Sequence, residues 1–152
     1  MVGTTEIVDD LNELLRDELA AIETYKHAID RNRKAHGQDT RFQQLTDMLR
    51  DHEQAATRLR DLVQRMGGTA ANGAGAWGTW TNTVLGAASL LGDKVALRAL
   101  KEGEESGVKD YREALREVST LMTTPEVLDV CAWNLSREEE HVRQLDHLIA
   151  AA

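Results

Sequence analysis

Glu138 and His141 stand three residues apart in SREEEHVRQL, near the C-terminal end of a 152-residue chain. Both fall on a line of apolar residues. Val127, Cys131, Leu135, Glu138, His141 or Val142, Leu145 and Leu148 succeed one another at three- or four-residue steps. Such a line is the buried stripe of an amphipathic helix. An isolated carboxylate there is costly, so it must be paired, protonated or bound to a cation. An imidazole one turn on lies on the same helix face and can share that cation. The chemistry on offer is chelation by oxygen and nitrogen, and the plainer alternative is a structural hydrogen bond. Matching groups on other helices, at the same depth, would favour chelation.

Three more stripes carry a polar interruption. One reads Ile7, Leu11, Leu14 or Leu15, Glu18, Ile22, Tyr25 and Ile29. A second reads Phe42, Leu45, Leu49, His52, Ala55 or Ala56, Leu59, Val63 and Met66, with Glu53 beside it. The third reads Leu97, Leu100, Glu104, Val108, Tyr111, Leu115 and Val118. Facing residues of an antiparallel hairpin lie equally far from its turn. Glu18 precedes Gly37 by 19 residues, and His52 and Glu53 follow it by 15 and 16. Glu104 precedes Thr124 by 20 residues, and Glu138 and His141 follow it by 14 and 17. Both hairpins therefore put their polar groups near mid-helix, consistent with one shared layer. A pair of divalent ions would resolve the cost of burying them, and carboxylate with imidazole suits iron or manganese. The candidate metal ligands are Glu18, His52, Glu53, Glu104, Glu138 and His141.

The elements that must hold this layer are four helices of roughly 25 to 30 residues, each about 40 Å long. Thr4 or Thr5 is the expected cap of the first, which runs to about Ala35 and stops at His36-Gly37. Asp39 or Thr40 starts the second, and Gly67-Gly68 ends it; Asp93 caps the third. Thr124-Pro125-Glu126 opens the fourth, with proline in the first turn. Residues 67–92 are Gly/Ala-rich and then carry Trp77, Trp80, Val84, Leu85, Leu90 and Leu91. They read as a crossover with a short helix packed on the bundle, and its Trp77–Leu91 part is a candidate partner surface. Gly103 and Gly107 flank Glu104 and predict close approach of another segment, the crossover being one candidate. Two short-turn hairpins joined by one long crossover make an all-α, antiparallel four-helix bundle of the ferritin-like kind, a single domain over 1–152.

Composition bounds the rest. A formal charge of −8 argues against nucleic acid or an anionic membrane surface as partner. The sole cysteine, Cys131, lies in an apolar stripe and reads as core. No apolar run is long enough to span a membrane, and MVGTTEIVDD lacks the basic-then-apolar pattern of a secretion signal, so a cytoplasmic location is expected.

The motifs resemble known ones. LNELLRDELAAIETYKHA is similar to the first helix of bacterioferritins, GEESGVKDYREAL to their third and REEEHVRQL to their fourth. That resemblance implies metal-ligand roles for Glu18, Glu104, Glu138 and His141, a di-iron or manganese site, and ferroxidase or peroxide-reactive chemistry. Residues 77–145 also resemble uncharacterised bacterial ferritin-like bundle proteins, through Trp80, Gly92-Asp93, Gly103-Glu104 and Tyr111. The second helix departs from the bacterioferritin pattern. RDHEQAATRL has Ala55 or Ala56 where that pattern has histidine, so the second metal would lack an imidazole or use His52. The haem-binding methionine has no counterpart, so haem is not expected. Without the short fifth helix of cage-forming ferritins, a homodimer or small homo-oligomer is expected rather than a shell. The competing expectation is a non-enzymatic bundle with a degenerate site, acting as a structural or interaction protein. Tyr25 and Tyr111 could bond a ligand carboxylate or donate electrons, or be plain core. Glu105 would replace Glu104 if the helix phase were off by one.

Overall fold

The computed structural model describes residues 2–74, 80–87, 90–120 and 125–152. Every regular element among them is helical: α1 (Val2–His36), α2 (Thr40–Arg65), a short α3 (Trp80–Gly86), α4 (Lys94–Thr120) and α5 (Pro125–Ala151). None of these helices is long and apolar enough to cross a membrane. Local chemistry sets most of the ends. Asp39 caps α2 by accepting from the Arg41 amide at 2.8 Å. Asp93 caps α4 by accepting from the Val95 and Ala96 amides at 2.9 and 3.1 Å. At the end of α2, Gly67 takes φ +82°, and the Gly67 and Gly68 amides donate to Gln64 and Val63 carbonyls at 3.0 Å each. This is a Schellman stop, with glycine at the left-handed position. The start of α1 differs from expectation: the helix begins at Val2, so Thr4 and Thr5 lie inside it. The Thr124 cap and Trp77 lie outside the described residues, as does the side chain of Trp80.

α1 and α2 form one hairpin and α4 and α5 the other; α1 also packs on α4, and α2 on α5. Two buried asparagines on α1 fix the crossover between the hairpins. Asn12 donates to the Thr69 carbonyl at 2.9 Å and accepts from the Ala71 amide at 2.8 Å. Asn32 accepts from the Leu90 amide at 2.9 Å. Arg31 adds hydrogen bonds to the carbonyls of Leu85 and Ala87. Twenty residues of helix separate the two asparagines, about 30 Å at 1.5 Å per residue. The described parts of the crossover therefore meet α1 near both of its ends, and α4 starts beside the end of α1.

The apolar interior falls into two parts. Tyr25, Ile29, Leu45, Met48, Leu97, Leu100 and Leu145 belong to one. Leu11, Leu15, Leu59, Val63, Val118, Val127 and Cys131 belong to the other. On every long helix, the stretch between the two parts carries the polar interruption: Glu18, His52, Glu104, and Glu138 with His141. All five are at most 4 % exposed. Some stripes are phased one residue from expectation, with Asn134 buried instead of Leu135 and Met48 instead of Leu49. The close approach expected at Gly107 comes from Glu138 on α5, not from the crossover.

Replacing Asn12 by Ala leaves the Thr69 carbonyl and the Ala71 amide without their partner. The expected loss is about 1–3 kcal/mol of unfolding free energy, read from urea denaturation. An unchanged midpoint would mean that the crossover is held elsewhere.

Candidate metal centre

The polar layer draws one side chain each from α1, α2 and α4, and two from α5. Helix periodicity brings them inward because each replaces an apolar residue in a buried stripe. Of the residues expected there, Glu18, His52, Glu104, Glu138 and His141 come together. Glu53 does not. It follows His52 by one residue, about 100° further round α2, and is exposed. Helix α2 thus puts an imidazole in the buried layer, and its only carboxylate near it is the half-buried Asp51 at the flank. Glu105 is exposed as well, so the phase of α4 favours Glu104. His27 and His147 are exposed, and Cys131 is buried.

Hydrogen bonds tie the groups tightly. His52 Nδ1 lies 2.7 Å from Glu18 Oε2, and its Nε2 lies 2.7 Å from Glu104 Oε1. His141 Nδ1 lies 3.2 Å from the same Glu104 oxygen, and its Nε2 lies 2.9 Å from Asp51 Oδ2. An ionised carboxylate only accepts hydrogen bonds, so an imidazole between two of them donates from both nitrogens as an imidazolium. Tyr25 Oη also donates to Glu104 Oε1, at 2.5 Å. Tyr111 Oη donates to Glu18 Oε1 at 2.9 Å and accepts from Asn134 Nδ2 at 3.1 Å. Glu104 Oε1 is therefore crowded by three donors. By contrast, Glu104 Oε2 and Glu138 Oε2 are buried without a hydrogen-bond partner among the described residues.

Asp51 and Asn134 belong to this network although their stripes did not predict them. Asp51 lies one residue before His52 and is only half-buried, so hydrophobic periodicity passes it over. Asn134 lies one turn before Glu138 on α5, and that spacing is the only trace it leaves in the sequence.

Charge follows from this geometry. Burial alone would raise the Glu104 carboxyl, but the His52 and His141 imidazoles hold it well below its ordinary value. Burial alone would lower His52, yet Glu104 and Glu18 hold it well above 6.5. His141 is raised too, by Glu104 and its bond to Asp51, against the effect of burial. Glu138 has no such partner: burial, then the charges of Glu18 and Glu104, push it well above 4.5. Tyr25 and Tyr111 are driven well above 10.0, by burial first and then by Glu104 and Glu18 respectively. Beside the layer, α1 and α4 line a cleft of about 360 Å³ whose walls include Asp10, Asp17, Asp110 and Glu117. Burial and the neighbouring Asp110 push Asp17 up to about 8, and burial with Glu117 pushes Asp10 up to about 7.

The donor set divides into two overlapping groups. Glu18, His52 and Glu138 each offer an atom within 4.8 Å of the others, and so do His52, Glu104 and His141. Such a constellation can hold cations, or it can neutralise itself with protons.

The linkage has a definite sign for the metal-free protein. The raised His52 contributes stability that is complete below 6.5 and lost as the pH rises through its folded value. The depressed Glu104 contributes stability that is complete above 4.5 and lost only as the pH falls through its folded value. The raised acids Glu138, Asp17 and Asp10 keep protons that the unfolded chain loses at 3.8–4.5, so each subtracts stability as the pH rises from there to its folded value. Thermal unfolding of metal-free protein is therefore expected to give its highest Tm at about pH 4.5 and a Tm that falls from there toward about pH 9. A flat or rising profile over that range would contradict a layer held by protons.

Residues 6–117 match the domain family of unknown function DUF2383. No curated protein matches. The fold resembles a crystal structure of ferritin-like, diiron-carboxylate proteins from Bacillus anthracis str. Ames, with a TM-score of 0.79 and 20% sequence identity. That likeness covers 98% of this chain and 99% of the other. With the match spanning most of its length, the chain belongs to the DUF2383 family, and its helices adopt the ferritin-like bundle fold.

Proposed function

We propose that this protein is a di-metal carboxylate protein that holds iron, or manganese, in the bundle core and reacts with oxygen or peroxide. The observation that carries this reading is the pair of buried carboxylate oxygens, Glu104 Oε2 and Glu138 Oε2, that no protein donor satisfies among the described residues. A buried carboxylate oxygen without a donor is costly, and a cation relieves it. The residues fit such a group. Three carboxylates and two imidazoles supply the oxygen and nitrogen donors that iron and manganese take. The structural likeness to diiron-carboxylate proteins supports the same reading, as do the bacterioferritin-like sequences around Glu18, Glu104, Glu138 and His141.

Glu18, His52 and Glu138 would hold one ion, and Glu104 and His141 the other. When bound, a pair of ferrous ions supplies electrons to the oxidant and Lewis acidity to whatever binds at an open position. The chain itself does the rest. The two apolar parts of the core keep bulk water from the layer. Tyr25 and Tyr111 orient the Glu104 and Glu18 carboxylates through Oε1 of each. Asp51 holds Nε2 of His141, which leaves Nδ1 facing the layer. Before it ligates, Glu138 gives up a proton, and His52 gives up at least one. Metal affinity therefore rises with pH.

A second reading has its own support. His52 bonds to Glu18 and Glu104, and His141 to Glu104 and Asp51, so protons alone can balance most of the charge. On this reading the bundle is a non-enzymatic structural or interaction protein that keeps a degenerate site. Metal analysis of protein purified without added metal, then anaerobic Fe(II) titration, separates the two. About two equivalents per chain are expected, with oxygen uptake on exposure to air. Glu138→Ala is expected to lose bound metal while keeping its helical circular dichroism. No Fe(II) uptake by the unaltered protein would leave the structural reading standing.

A further inference from the structure

We infer that Gly107 is a positioning residue, whose missing side chain forms the notch that sets where Glu138 can reach a metal ion. This rests on the di-metal reading and adds a determinant to it. Gly107 sits in the middle of α4, where glycine is a poor choice, second only to proline in weakening a helix. Its backbone is ordinary helix with no positive φ, so chain geometry does not demand glycine. Space does. A Cβ built there would stand 2.4 Å from Glu138 Oε1, 2.7 Å from Oε2 and 2.8 Å from Cδ. The nearest occupant is thus a carboxyl group from α5, not a second backbone. Glu104 lies three residues earlier on the same face of α4, so the notch sets the Glu138 carboxyl beside it.

That carboxyl is buried, and its Oε2 has no hydrogen-bond partner among the described residues. Packing against α4, not a hydrogen bond to Oε2, therefore determines where this oxygen lies. A methyl group at 107 would push away the far end of a flexible side chain, which the helix tolerates and the ligand geometry does not. Glu138 completes the donor group with Glu18 and His52, whereas His52, Glu104 and His141 form theirs without it. Filling the notch should consequently damage one metal position and spare the other.

The test compares unaltered protein with Gly107→Ala, Glu138→Ala and the double variant, using Co(II) followed by its visible absorption and by equilibrium dialysis. Gly107→Ala is expected to keep the fold but to bind one Co(II) equivalent about tenfold or more weakly, as when a ligand-orienting partner is lost. Apo stability gives a readout independent of metal. With Glu138 already removed, Gly107→Ala should raise Tm by about 2–4 °C through helix propensity alone. With Glu138 present the rise should be smaller, or absent. Two Co(II) equivalents bound to Gly107→Ala with unchanged affinity would overturn the inference, as would identical Tm shifts in the two backgrounds. If the unaltered protein takes up no Co(II), the di-metal reading fails first and takes the positioning role with it.

Discussion

The structure depends on one costly arrangement: five polar side chains buried as a single layer between two apolar cores. Any of these groups alone in that environment would be strongly unfavourable. Together they are tolerable, because Glu104 lies against two imidazoles and a phenol, and His52 bridges Glu104 to Glu18. The layer also fixes register. Sliding one helix by a turn would move its polar residue into the leucines of either neighbouring core and leave its partners unpaired. Apolar packing alone would tolerate several registers of similar stripes. A polar layer with specific partners selects one.

The parts of this arrangement differ in how far they show in the chain. Glu18, Glu104, Glu138 and His141 are legible because each breaks an apolar repeat. His52 against Glu53 is harder, since neighbouring residues differ by a quarter-turn or so and the stripe of α2 is broad enough to leave its phase open. Asp51 shows no sequence signal, as it acts from the half-buried flank through an imidazole rather than from the stripe. The two asparagines of α1 are hidden for another reason. Their partners are backbone groups 57 to 59 residues away, and no local pattern encodes a backbone partner. The antiparallel pairing of the helices, by contrast, follows from turn lengths and the single long crossover.

The two buried glutamates of the second hairpin illustrate how environment divides like side chains. Glu104 gathers all its donors on one oxygen and is held toward its ionised form, while Glu138 lies over bare backbone and is pushed toward its neutral form by burial and then by its acidic neighbours. One thus favours the anion and the other the acid, though both are glutamates of the same buried layer. The sequence offers the carboxylates, and the tertiary surroundings assign them different states.

The acidic cleft between α1 and α4 has a consequence for the molecule as a whole. A charge of −8 treats every carboxyl group as ionised and every histidine as neutral. In the folded, metal-free chain Asp17 and Asp10 are pushed up to about 8 and 7, and Glu138, His52 and His141 are all shifted toward their protonated forms. The native protein at neutral pH is accordingly less acidic than its composition, and folding draws protons from the buffer. The folded, metal-free chain therefore carries less negative charge at neutral pH than the unfolded one, so the two forms separate in an electric field by charge as well as by size.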